Sequence, residues 1–125
     1  MTLILDAAAL VALERNDRRM WARLKAALRD DDVPLTHAGV LGQVWRGGTR
    51  QARLAQVLPA IEVHALDQAL GRSAGELLGS TGLADVIDAA LVLLSSDGDD
   101  IITSDLADLE PLAVASGRHI ELIRP

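Results

Sequence analysis

Two short apolar runs in this chain end on an aspartate. Leu3-Ile4-Leu5 runs into Asp6 near the start, and Ile101-Ile102-Thr103-Ser104 runs into Asp105 near the end. Asp85 and Asp88 open a third segment, an apolar helical stretch. Their spacing of three turns both carboxylates to one side of a helix. Taken singly, an aspartate at a strand–helix junction is an N-cap worth roughly 1 kcal/mol, and acids at a helix start are favoured by the helix dipole. Two strand-end aspartates plus an acidic pair ask for one shared place. Carboxylates that converge cannot all stay ionised without a counter-charge, so some protonate or a cation binds. An oxygen-only donor set suits a hard ion, Mg²⁺ or Mn²⁺, and the chain has no cysteine and no matched histidine pair to draw a softer one. Such an ion polarises a phosphodiester and lowers the pKa of a bound water. The chemistry suggested is hydrolysis of a nucleic-acid backbone.

The elements that would position these acids follow from the hydrophobic pattern. The continuous run Leu3–Leu5 predicts a strand covered on both faces. Asp6 then caps a helix over "AAALVALER", and a second helix is predicted from Asp17 to Leu28. "VPLT" predicts a second strand. "HAGVLGQVWR" predicts a helix with Val40, Leu41, Val44 and Trp45 on its apolar face, broken by Gly47-Gly48. "TRQARLAQVLP" predicts a short helix stopped before Pro59, and "IEVHAL" a strand near a sheet edge. Asp67 caps "QALGRSAGELLG". In "LADVIDAALVLLSS" the residues Leu83, Ile87, Ala90, Leu91 and Leu94 make one helical stripe. "IIT", "DLADLEPLAVASG" and "HIELI" complete the pattern as strand, helix and strand. Strands alternating with helices predict an α/β sandwich with a mostly parallel sheet. In such sheets, sites form beyond the carboxyl ends of the strands, where Asp6 and Asp105 fall.

Composition narrows the function. The 125 residues suit a single domain, 1–125. The formal charge is -6, so the chain does not hold nucleic acid by bulk charge and must act locally, through metal ions and a few arginines. Trp21 and Trp45 are the only aromatic residues, too few for a base-stacking platform. No apolar run approaches the roughly 18 residues of a membrane span, and no signal-peptide pattern is present. With no cysteine, the expected setting is the cytoplasm.

The chain resembles the PIN-domain family, in particular the small bacterial toxin ribonucleases of the VapC type from toxin–antitoxin pairs. "LILDAAALVAL", "LTHAGVLGQVWR" and "GLADVIDAALVLLSSDGDDIITSDLADL" carry the likeness, which covers nearly the whole chain. The resemblance implies a three-layer α/β/α sandwich and RNA cleavage with Mg²⁺ or Mn²⁺ held by three or four acids. It also implies an antitoxin partner and a homodimer. Asp6 stands where the family's first acid does and Asp105 where the last does. Asp85 keeps one alignment register and Asp88 the other, and both are retained. Thr103 and Ser104 resemble polar residues that support the family site, and with Arg46 they are assigned to substrate contact. The family's second acid, a glutamate, is replaced by Gln43, which has nearly the same shape but no charge. That departure opens a second reading, a non-catalytic module that binds RNA or a protein.

Arg46, Arg50 and Arg53 follow Gln43 and offer phosphate contacts, Arg46 first, or else a solvated helix face. Arg15, Arg18, Arg19 and Arg23 form another basic cluster. His37 is a local cap or a substrate contact near Gln43. Asp17, Asp67 and Asp108 read as caps or surface. A phosphoacceptor domain of receiver type also gathers aspartates at strand ends, but it needs a nearby lysine, and Lys25 in the second helix is poorly placed.

Overall fold

Five strands of three residues each form the centre of the protein. The computed structural model describes residues 1–125. In chain order the elements are β1 (Leu3–Leu5), α1 (Ala7–Glu14), α2 (Arg18–Arg29), β2 (Leu35–His37) and α3 (Ala38–Val44). They continue with α4 (Ala52–Val57, between two 3₁₀ turns), β3 (Glu62–His64), α5 (Gln68–Thr81) and α6 (Val86–Leu94). The last three are β4 (Asp100–Ile102), α7 (Leu106–Ser116) and β5 (Glu121–Ile123). All strand pairs are parallel, in the order β3-β2-β1-β4-β5.

This order follows from the connections. From β1 to β2 to β3 the chain steps one way across the sheet. It then returns past β1 to lay down β4 and β5 on the other side. Right-handed crossovers therefore put α1–α4 on one face and α5–α7 on the other, and the helices pack in those two groups. The result is an α/β sandwich of three layers. Ile4, Leu5, Ile101 and Ile102 are completely buried, as expected of central parallel strands covered on both faces. β3 is an edge strand with two exposed residues, in line with its alternating sequence.

Several boundaries differ from the sequence expectation for local reasons. α6 begins at Val86 because Asp85 caps it, so Leu83 lies in the preceding loop and is exposed. The helix buries Ala89, Ala90, Leu91 and Val92 in succession, as a helix enclosed on all sides does. Trp45 falls past the end of α3 and is exposed instead of facing the core. α4 ends at Val57, before Pro59 as expected, and Pro59 sits in the 3₁₀ turn Leu58–Ala60 that follows. No single helix is long and apolar enough to cross a membrane.

Candidate functional site

The direction of strand order reverses between β1 and β4. In open parallel sheets, ligand sites form outside the carboxyl ends of the strands at such a switch point. β1 delivers Asp6 to it and β4 delivers Thr103, Ser104 and Asp105. The two ends are joined in register: Leu5 pairs with Ile102, and the Asp6 amide donates to the Ile102 carbonyl at 3.0 Å.

Asp6 is nearly buried, at 4% exposure, and both its oxygens are held. Oδ1 accepts from the Ala7 amide at 2.8 Å, capping α1. Oδ2 accepts from the Thr103 hydroxyl at 2.6 Å. The Thr103 hydroxyl in turn accepts from the Asp105 amide at 3.0 Å. Asp105 is thus two hydrogen bonds from the Asp6 carboxylate. It occupies the N-cap position of α7, yet its side chain caps nothing. Thr103 is completely buried, which corrects its assignment as a substrate contact: the hydroxyl orients Asp6 and the Asp105 backbone. Ser104 is exposed.

α6 brings the acidic pair. Gly82, at φ 72, ends α5 in the left-handed conformation that glycine adopts without strain, and α6 leaves at 109° to α5. Asp85 Oδ1 accepts from the Asp88 amide at 3.1 Å. The two candidates are therefore one unit, with Asp85 the cap and Asp88 on the first turn. Asp88 is pushed up to about 7, first by burial and then by the negative charges of Asp85, Asp6, Asp105 and Asp108. Nothing offsets them: no donor or cation lowers it.

His37 locks α3 to α6 beside this crevice. Its Nδ1 accepts from the Gly39 amide at 3.0 Å, so the proton is on Nε2, which donates to the Ile87 carbonyl at 2.9 Å. Burial lowers its pKa, against the opposing pull of that carbonyl and of Asp6. The ring is therefore a neutral strut. A Cβ on Gly39 would collide with Ile87 and stand 2.8 Å from the His37 ring, so only glycine lets the two helices approach this closely. Thr36, next along β2, donates to the Leu5 carbonyl at 2.7 Å and fixes the end of β1.

Gln43 and Arg46 lie further out. Gln43 is exposed on α3, beside the buried Val40 and Val44. Arg46 donates to the carbonyls of Gly42 and Trp45 at 3.0 and 2.7 Å, capping the end of its own helix. Asp17 and Asp67 are caps, accepting from Met20 and Leu70. Asp108 is more than surface. It adds to the field on Asp88, and its spacing of three from Asp105 on one helix is the signal that marks it in sequence.

No family model matches the chain, and no curated protein matches it. The likeness to PIN domains rests on its own residues.

The donor set fits a hard divalent cation in its chemistry: all oxygen, mutually repulsive and half-buried. As the side chains stand, no three acids or histidines close on a common point at which an ion would be held. Asp6 is fixed by its two bonds. The Asp105 side chain has no capping bond, and the Asp88 carboxyl has no donor. These two are the side chains that must turn for an ion to be held.

Proposed function

We propose that this protein is a metal-dependent ribonuclease that hydrolyses RNA phosphodiester bonds. The observation that supports this most is the condition of Asp88. Four other aspartates, from β1, the start of α6 and the start of α7, act on one half-buried carboxyl at the sheet's switch point with no cation among them. Asp6, Asp88 and Asp105 would hold Mg²⁺ or Mn²⁺, with Asp85 beside them. Once bound, the ion supplies Lewis-acid activation of the phosphate and of an attacking water.

The chain's own residues do the positioning. Thr103 holds the Asp6 carboxylate in a fixed orientation. His37 keeps the start of α6 at a fixed distance from the ends of β1 and β2. Asp88, raised to about 7 in the metal-free protein, would release its proton on binding a cation. Exposed Ser104 and Arg46 are the residues assigned to RNA contact. The resemblance adds an antitoxin covering the acidic crevice, a homodimer and a cytoplasmic setting.

Gln43 favours a second reading, a non-catalytic module that binds RNA or a protein partner, because the amide adds no charge where the family has a carboxylate. One experiment separates them. Purified protein with Mn²⁺ should cleave single-stranded RNA, and chelation or Asp6→Ala should abolish it. Cleavage that survives both would defeat the assignment, and RNA binding without any cleavage would favour the second reading.

A further inference from the structure

A groove of about 500 Å³ between α2 and α4 carries charge of the opposite sign. Arg18, Trp21 and Lys25 line one wall, at the spacing of three and four that puts them on one face of α2. Arg53 and Gln56 line the other wall from α4, and Asn16 sits at the end with φ 61. No carboxylate lines the groove. None of its three cations is in a salt bridge, since the two that form are Met1 to Asp32 and His64 to Glu62. In a chain with 18 acidic and 12 basic residues, three unpaired cations facing one groove are a site for an anion.

The walls are held in place. The Trp21 indole N–H donates to the Leu13 carbonyl at 3.1 Å, so its one donor is used; the ring packs partly against the core, and its outer part lines the groove. Arg53 donates to the Glu14 carbonyl at 3.1 Å, which tethers the guanidinium across the end of α1.

We propose that this groove binds the backbone of single-stranded RNA, with Arg18, Lys25 and Arg53 on phosphates and a base against the Trp21 ring. The choice of RNA rests on the proposed ribonuclease reading; the choice of a nucleic acid rests on the groove. An acidic peptide would gain little apolar contact here, since only Trp21 and Ala22 among the lining residues are apolar. Cations flanking one aromatic face are what a single strand uses. Asp6 starts α1 and Asn16 lies just beyond its end, so about 12 Å of helix separates groove from crevice, a few nucleotides of chain.

The test is RNA binding in chelator, where metal at the acidic crevice contributes nothing. The full chain carries Trp45→Phe, which leaves Trp21 as the only aromatic fluorophore because the sequence has no tyrosine and only two tryptophans. The probe is an unlabelled single-stranded RNA of roughly 12 nucleotides. Binding should quench Trp21. Replacing Arg18, Lys25 and Arg53 together by alanine should weaken it at least about tenfold near 0.1 M salt and lower the salt slope by about 2, from roughly 0.7 per phosphate contact. Unchanged affinity in a triple variant that still melts cooperatively would overturn the proposal, as would absence of quenching. Poly-glutamate displacing the RNA at equal charge concentration would overturn it in favour of an acidic protein partner. Cleavage is read separately: a chain that binds RNA through this groove but cuts nothing with Mn²⁺ removes the nuclease reading and leaves the groove standing.

Discussion

Replacing Asp88 by asparagine should stabilise the metal-free protein, and only at pH values where the carboxyl of the unfolded chain is charged. Asp88 titrates at about 7 in the folded protein against an ordinary value of 3.8. A folded-state value raised above the unfolded one means that ionisation works against folding. Below pH 3.8 both states are protonated and nothing is lost. Between 3.8 and 7 the cost grows, and above 7 it is fully present. The shift corresponds to about 4 kcal/mol, and solvent access to this half-open crevice reduces that to roughly 2 kcal/mol. For a chain of this length, such a gain raises Tm by about 8 °C. Thermal melts of wild type and Asp88→Asn in chelator, from pH 4 to 8.5, would show it. The two proteins should melt together near pH 4, diverge with the variant higher between pH 4 and 7, and keep a constant difference above 7. His37, whose lowered pKa makes the fold lose stability as pH falls below 6.5, is common to both proteins and cancels in the difference. Saturating Mn²⁺ should reverse the order by stabilising wild type more than the variant. A constant difference across the pH range, or a variant that is less stable at pH 8 without metal, would refute the idea that aspartates from separate elements press on this carboxyl.

Three further outcomes are expected. Thr103→Val removes the donor to Asp6 and should lower stability by about 1.5–3 kcal/mol, the value of a hydrogen bond to a charged group, with cleavage falling as well. Thr103→Ser should restore both, as read by urea unfolding and a fluorogenic RNA. Gly39→Ala forces α3 away from α6 and should cost about 1–3 kcal/mol in the same unfolding measurement, with an NMR shift of the His37 ring protons. Gln43→Glu should tighten Mn²⁺ binding by isothermal titration, by several-fold for a charge added at about 1 kcal/mol in a water-exposed position; unchanged affinity would place residue 43 outside the ion's reach.

The sheet was legible because its physics is one-dimensional. Strands buried on both faces must be continuous apolar runs, so Leu3–Leu5 and Ile101–Ile102 announced themselves, and the aspartates that follow were bound to land at the carboxyl ends of parallel strands. Partnership was harder to read. Capping and site roles are alternatives in a sequence, but in the fold Asp6 caps α1 and accepts from Thr103 at the carboxyl end of β4 at once. Thr103 looks like an available hydroxyl until its complete burial is known. The bond from His37 to Ile87 spans 50 positions of sequence, and no local pattern encodes it. Asp108 reads as a cap or surface in the sequence, because its spacing of three from Asp105 does not by itself show that Asp88 is near. The α2–α4 groove joins residues more than thirty positions apart, so its cations read as two ordinary helix faces.

The central claim is that aspartates from β1, α6 and α7 share one divalent cation. Anomalous diffraction from a crystal of the full chain soaked in Mn²⁺ tests it most directly. The account predicts one strong peak at the β1–β4 switch point, at about 2.1 Å from oxygens of Asp6, Asp88 and Asp105, with the Asp88 and Asp105 side chains turned towards it. A crevice without a peak at millimolar Mn²⁺, or manganese bound only elsewhere on the surface, would contradict it.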